Sequence, residues 1–228
     1  EVDLGKVVLS DVRTSSIGQR AHFAVSDDGT LMYALGKQAG LTRLVVRSPN
    51  GEIQTLPFEA QSHGHMDATR DGSKIAVHYL DGTDRLMVYD LERQTATPFL
   101  QESNIYGAIW NEGGTAITYS HTEGDSSSVM TREVNSSRGS EVLLTGQGNL
   151  TPSDWSSDNR FLIYSQTIGS FSRLGVLDTM DSTSTTIIEL EGRAWSGKFS
   201  PHDSLIAYTH IAGQGSEVFV VPFPPTKQ

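Results

Sequence analysis

The sequence predicts an all-β protein, on two observations. Apolar strands recur in pairs across short polar turns at a near-constant interval, and no window of eleven or more residues carries a sustained 3.6-residue apolar period with capping signals. The second observation leaves no place for a helix, and the first sets the architecture.

Five units carry the pattern, running from His22 to Tyr33, His65 to Val77, Ala108 to Tyr119, Ser153 to Tyr164 and Gly197 to Tyr208. The apolar residue before each turn stands at 25, 68, 110, 155 and 199, so the intervals are 43, 42, 45 and 44 residues. A third apolar run follows in each unit: Leu44 to Val46, Leu86 to Tyr89, Val129-Met130, Leu174 to Leu177 and Val218 to Val221. A second turn then leads to a fourth strand, as in Ile53 to Leu56, Thr97 to Leu100, Glu141 to Leu144 and Thr186 to Leu190. Short runs rich in Val, Ile, Tyr and Thr between Asp-Gly, Asn-Gly and Ser-Pro pairs read as strands joined by tight turns, so each unit is a four-stranded antiparallel meander. The Ser/Thr-rich stretch 181–186 reads as an exposed hairpin loop ahead of the strand at Ile187-Ile188.

One such sheet cannot cover both of its faces, whereas sheets set radially hide each other's apolar sides. A repeat of ~40–45 residues with four strands is that of a propeller blade. The expected fold is a five-bladed β-propeller of four-stranded antiparallel blades, one domain over 1–228, with blades near 17–57, 62–101, 104–145, 149–190 and 193–223. The fifth unit runs out after three strands, at Pro222-Phe223-Pro224-Pro225. The segment Gly5-Lys6-Val7-Val8-Leu9 has strand composition and is expected to supply the missing outer strand, closing the ring and leaving a monomer. An unclosed ring would instead leave edges that pair between chains, an assembly module.

Composition narrows the function classes. The formal net charge is −10, from 17 basic and 27 acidic residues, and no Lys/Arg cluster interrupts it, so nucleic acid is an unsuitable partner. There is no cysteine, which removes disulfides and thiolate metal sites. No apolar run approaches the ~18 residues of a membrane span. The opening Glu1-Val2-Asp3-Leu4 lacks the basic and apolar regions of a secretory signal.

The turns carry a family resemblance. Ser26-Asp27-Asp28-Gly29, Arg70-Asp71-Gly72-Ser73 and Ser200-Pro201-His202-Asp203, each leading into an apolar strand, resemble the Ser-Pro-Asp-Gly signature of WD-like propellers of the TolB type. The segments Gln19 to Tyr33 and Glu217 to Pro224 look like parts of the propellers found C-terminal to bacterial transmembrane serine/threonine kinases. The resemblance covers nearly the whole chain. The third and fourth turns, Asn111 to Gly114 and Ser156 to Asn159, depart from the signature, and such family propellers usually have further blades, which also allows a five-blade fragment of a larger ring. The resemblance implies a sensing or binding module in an extracytoplasmic setting, periplasmic or secreted, and it transfers no catalytic residue. The kinase motifs themselves are absent.

In a propeller the first strand of each blade lines a central channel, and convergent polar side chains at its mouth are the default site. Counting back from the register residues aligns His22, His65, Gly107, Pro152 and Ser196, with Asp67, Asp154 and Lys198 two residues on. The preceding loops add Arg20, His63, Tyr106, Arg193 and Trp195. The candidate ligand-binding mouth is Arg20, His22, His63, His65, Asp67, Tyr106, Asp154, Trp195 and Lys198. His63, His65 and Asp67 alternate as a zinc-binding strand would, yet a zinc site brings further ligands and a second shell that the sequence does not offer. They read as polar channel residues, with no metal and no cofactor expected.

Two enzyme readings compete with binding. Glycoside cleavage needs two carboxyl groups flanking a bond, and Asp67 and Asp154 are the inner-strand acids, though on non-adjacent blades and without a third, orienting acid. Otherwise each aspartate is a backbone cap at a strand end. A serine hydrolase would need a Gly-x-Ser-x-Gly elbow, which does not occur. Trp110, Trp155 and Phe199 hold one repeated position and are expected to pack between blades. The resulting expectation is a non-catalytic propeller that binds a protein, peptide or small ligand through loops at one mouth, with a carbohydrate-active enzyme as the rival.

Overall fold

The computed structural model describes residues 23–27, 29–35, 41–79, 85–212 and 215–224. Nineteen strands form five antiparallel sheets, and no helix occurs among the described residues. Blade 1 comprises β1 (Phe23–Val25), β2 (Leu31–Leu35), β3 (Arg43–Arg47) and β4 (Ile53–Thr55). Blade 2 comprises β5 (His63–Ala68), β6 (Lys74–Tyr79), β7 (Arg85–Asp90) and β8 (Thr95–Gln101). Blade 3 has β9 (Ile105–Trp110), β10 (Ala116–Glu123), β11 (Ser126–Glu133) and β12 (Glu141–Gln147). Blade 4 has β13 (Asn149–Trp155), β14 (Phe161–Ile168), β15 (Phe171–Asp178) and β16 (Thr183–Glu191). Blade 5 has β17 (Arg193–Phe199), β18 (Leu205–Ala212) and β19 (Gly215–Pro222). Strand order in every sheet follows the chain, and the first strands β1, β5, β9, β13 and β17 stand side by side in succession. The molecule is a five-bladed β-propeller with those strands innermost. The segment 5–9, expected to complete blade 5, lies outside the described residues.

The five first turns share one hydrogen-bonding scheme despite their different sequences, the first being one residue shorter than the other four. The N–H of the head residue donates across the turn, from Ser26 to Thr30 O (2.9 Å), Thr69 to Lys74 O (3.0 Å), Asn111 to Ala116 O (3.0 Å), Ser156 to Phe161 O (2.8 Å) and Ser200 to Leu205 O (2.9 Å). A residue three further on, with φ between 53° and 84°, donates back to the head carbonyl: Gly29, Gly72, Gly114, Asn159 and Asp203. Asn and Asp are the non-glycine residues that tolerate this left-handed backbone best, so the two departures from the glycine pattern preserve the turn. Head side chains complete it, as the N–H groups of Lys74, Ala116, Phe161 and Leu205 donate to Thr69 Oγ1, Asn111 Oδ1, Ser156 Oγ and Ser200 Oγ at 2.8–3.1 Å. That is why every head is Ser, Thr or Asn.

The core lies between blades, in four successive clusters. From the second blade on, register residues join the second strand of the blade before: Ala68 shares a cluster with Met32, Trp110 with Ala76 and Phe199 with Ile163, and Trp155 bonds to Thr118. Trp110 and Trp155 are 5% and 6% exposed, as expected for packing residues. Val25, first in the series, is 55% exposed, and at the other end Val218 and Val220 are also exposed.

Every inner strand described through its middle carries one extra residue against its partner. The ladder slips between His63 and Met66 in β5, between Tyr106 and Ile109 in β9, between Pro152 and Asp154 in β13, and between Trp195 and Lys198 in β17. A bulge bends the strand and re-aims the side chains beyond it. At β17 it brings Gly197 against blade 4, where a Cβ would sit 2.6 Å from Ile163 Cγ2. The stretch 181–186 differs from expectation, since β16 already begins at Thr183, leaving Thr179 to Ser182 as the turn. Ser and Thr suit a solvent-facing outer strand, whose polarity resembles that of a loop.

Candidate functional site

Because the inner strands run the length of the channel, the candidate residues separate onto two faces of the ring. Asp67, Asp154 and Lys198 lie at the strand ends next to the first turns, here the turn face. His63, Tyr106 and Trp195 lie toward the opposite end, level with the tips of the second and third strands, here the hairpin face. His65 falls in the bulge between them. Arg20 and His22 lie outside the described residues.

On the turn face the charges gather from four blades. Asp154 Oδ2 accepts from the Phe199 N–H of the next blade at 2.8 Å, and Asp154 Oδ1 accepts from Lys198 Nζ at 3.0 Å. Asp67 repeats the first of these bonds two interfaces earlier, accepting at Oδ2 from the Trp110 N–H at 2.7 Å. Both aspartates therefore cap the end of a neighbouring inner strand and tie one blade to the next. Burial raises the Asp67 carboxyl above the ordinary carboxylate range, and Lys198 with the Trp110 N–H offsets only part of that rise. Burial works against the Lys198 ammonium, but Asp154, Asp67 and Glu112 outweigh it and raise its pKa. The Lys198 side chain remains 57% exposed, as a group ringed by protein yet open to channel water would be.

Three rim residues missed by the sequence reading join this set. Arg70 Nη1 lies 3.3 Å from Asp27 Oδ2, and Arg70 Nη2 donates to Glu112 Oε1 at 2.7 Å, so one guanidinium spans the turns of blades 1, 2 and 3. Burial raises the Glu112 carboxyl against the opposing pull of Arg70. Asp27, Arg70 and Glu112 each stand two residues after the register residue, so an alternating charge was visible in the aligned units. These three residues lie past the inner strand, inside the turns themselves. The rim continues through Asn159 Oδ1, accepting from Glu112 N at 2.8 Å, and Asp203 Oδ2, accepting from Ser157 N at 2.9 Å.

The hairpin face holds its candidates differently. His63 is 1% exposed, with Nδ1 2.8 Å from Thr42 Oγ1 and its ring 5.1 Å from that of Tyr79, so it sits inside the blade 1–2 interface. Tyr106 OH lies 3.1 Å from Thr122 Oγ1. The Arg193 guanidinium lies 5.7 Å from the Trp195 ring. Among the described residues, no three His, Asp or Glu side chains are grouped as metal ligands would be.

No protein-family model matches the chain, and no curated protein sequence matches it. Solved structures do. TolB from Acinetobacter baumannii superposes with a TM-score of 0.74 at 13% identity, over 88% of this chain and 51% of that one. A TolB of Agrobacterium tumefaciens gives 0.71 at 16% identity, over 89% of this chain and 76% of that one. Enzymes share the architecture too, among them an oligogalacturonate lyase solved in complex with manganese, with a TM-score of 0.65 at 12% identity over 90% of this chain and 65% of that one. The chain spans about half the length of the Acinetobacter TolB. Its fold is that of a TolB-type β-propeller.

Proposed function

We propose that this chain is a non-catalytic binding module that takes a protein, peptide or small ligand at the turn-face mouth of its channel. The observation that carries the reading is the fixed charge pattern there. Asp67, Asp154 and Lys198, with Arg70 and Glu112 on the rim, arrive from four blades, and the carboxylates are held by backbone N–H groups and by Lys198. A rigid pattern of alternating charge supports recognition, because little side-chain freedom is lost when a partner docks. It supports general acid–base chemistry less well, since both inner-strand carboxyl groups are committed to strand ends.

Selection of a phage-displayed peptide library on the purified protein tests this. Enriched peptides are expected to bind the wild type and to lose at least tenfold in affinity toward Arg70→Glu and Lys198→Met. Enrichment indifferent to both variants would remove the turn face as the site.

One observation favours the enzymatic rival: Asp67, with its raised pKa, shares a mouth with the ion-paired Asp154, and divergent carboxyl environments are the mark of an acid and base pair. Incubation with oligogalacturonate and manganese decides it. Cleavage by the wild type that disappears in an Asp67→Asn, Asp154→Asn double variant would replace the binding reading.

A further inference from the structure

The hairpin face carries a second feature, in the cleft between blades 3 and 4. Two cavities of about 200 and 380 Å³ meet there and share Ile168 in their walls. The smaller is bounded by Gln166, Phe171, Arg173 and Glu189, and the larger by the loops at Gly124-Asp125 and Gln147 to Asn149. Ile168 and Phe171 are directly paired across the tip of the β14–β15 hairpin and are 44% and 55% exposed. The corresponding β10–β11 tip, Glu123-Gly124-Asp125-Ser126, is wholly polar. An apolar pair at a solvent-exposed tip costs hydration without serving the core.

The cleft is rigid. Gly148 N donates to Asp125 O at 2.8 Å, Gln166 Nε2 donates across the interface to Gln147 O at 2.9 Å, and Gly192 N donates to Ser170 O at 3.0 Å. Ser127, 2% exposed, donates to Gly148 O and accepts from Leu150 N. Gly148 admits no side chain, since a Cβ there would lie 2.1 Å from Thr167 O. The floor is therefore backbone, and the one cation bordering the smaller cavity, Arg173, is held by Glu189 at 3.2 Å. Glu123, Asp125, Glu189 and Glu191 leave the surroundings net acidic. A space of about 200 Å³ exceeds the ~150 Å³ at which an engineered apolar cavity takes up benzene, so it has room for one large apolar side chain.

We infer that this cleft is a docking groove for an extended segment of a protein partner that places an apolar side chain on Ile168 and Phe171 and flanking Lys or Arg residues against Asp125 and Glu189. The apolar pair sets the anchor, and the acidic border sets the sign of the flanks. The groove is separate from the turn-face mouth, and its test is independent of it.

Fluorescence anisotropy with labelled nonapeptides of alternating Lys and Leu, Glu and Leu, and Lys and Ser provides that test. The Lys/Leu peptide is expected to bind and the other two to bind at least tenfold more weakly. Its affinity should fall at least tenfold in the Ile168→Ser, Phe171→Ser double variant and in Asp125→Lys. These side chains are exposed, so unchanged near-ultraviolet circular dichroism verifies folding of each variant. Equal binding of the Lys/Ser peptide, or undiminished binding to the Ile168→Ser, Phe171→Ser variant, overturns the inference. So does self-association in sedimentation velocity that the double variant abolishes, since the occupant would then be a second copy of this chain.

Discussion

Trp155 donates its indole N–H to Thr118 Oγ1 across the blade 3–4 interface at 3.2 Å, whereas Trp110, in the same position one blade earlier, has no acceptor among the described residues. The difference lies in the partner, because Ala76 holds in blade 2 the place that Thr118 holds in blade 3. A buried N–H without an acceptor costs the desolvation of that group. Ala76→Ser is therefore expected to stabilise the chain by ~0.5–1.5 kcal/mol, as one net hydrogen bond would. Thr118→Val keeps the shape, strands the Trp155 N–H and is expected to cost ~1–3 kcal/mol. Urea denaturation of both variants checks this, and a serine at 76 that leaves the midpoint unmoved would mean that its hydroxyl cannot reach the indole.

Asp67 gives a pH dependence whose sign is fixed by its environment. Its carboxyl titrates above the ordinary 3.8 in the fold, so the folded chain holds that proton more tightly than the unfolded one. The stability this group contributes is complete below 3.8 and is lost as pH rises through the elevated folded value. Asp67→Asn should flatten that part of the stability curve while still accepting from the Trp110 N–H. Asp67→Ala leaves that N–H without its acceptor and is expected to cost ~1–3 kcal/mol at every pH. Lys198→Met removes the charge that holds Asp67 down, so its loss of stability should extend to higher pH. Denaturation midpoints from pH 3 to about 8 distinguish these curves, and an Asp67→Asn curve parallel to wild type would show that another group titrates.

The repeat was legible because it is written in residues that cannot vary freely. An apolar register residue must fill the space left by the blade before it, and a turn head must carry a side-chain oxygen, as Ser26, Thr69, Asn111, Ser156 and Ser200 do. The bulges left no such trace, since the aligned positions hold His65, Gly107, Pro152 and Ser196, four residues with nothing in common but their place. Without them, His63 and Asp67 read as neighbours on one strand, when the structure sets one inside an interface and the other at a mouth. The pair Ile168 and Phe171 was visible as apolar residues around Gly169-Ser170, but a sequence cannot tell an exposed tip from a covered one.

Gly197 marks where the bulge of β17 meets blade 4. Its φ is not left-handed, so what forbids a side chain is space: a Cβ would lie 2.6 Å from Ile163 Cγ2 and 3.1 Å from Leu174 Cδ1. Gly197→Ala is expected to cost ~1–3 kcal/mol by overpacking. Ile163→Ala removes the nearer methyl and is costly by itself, yet the double variant should be less destabilised than the two effects added. A double-mutant cycle measures that coupling, and strict additivity would place the strain elsewhere.

Asn159 tests whether the departures from glycine in the turns are substitutions with a purpose. Its φ of 58° suits glycine, but its side chain also accepts from the Glu112 N–H of the blade before, and Asp203, with φ 53°, does the same for Ser157 one blade on. At the two preceding turns the residue is Gly72 or Gly114, and a Cβ there would meet Ser26 Oγ at 3.0 Å or Thr69 Cγ2 at 2.9 Å. Close approach links the first blades, and a side-chain acceptor links the later ones. Asn159→Gly retains the backbone and loses only the acceptor, for an expected cost of ~0.5–1.5 kcal/mol. Asn159→Ala loses the acceptor and forces alanine into the left-handed region, adding ~1–2 kcal/mol. The ranking wild type, glycine, alanine in thermal unfolding is the expected result. A glycine variant as stable as wild type would show that the bond to Glu112 contributes nothing to holding blades 3 and 4 together.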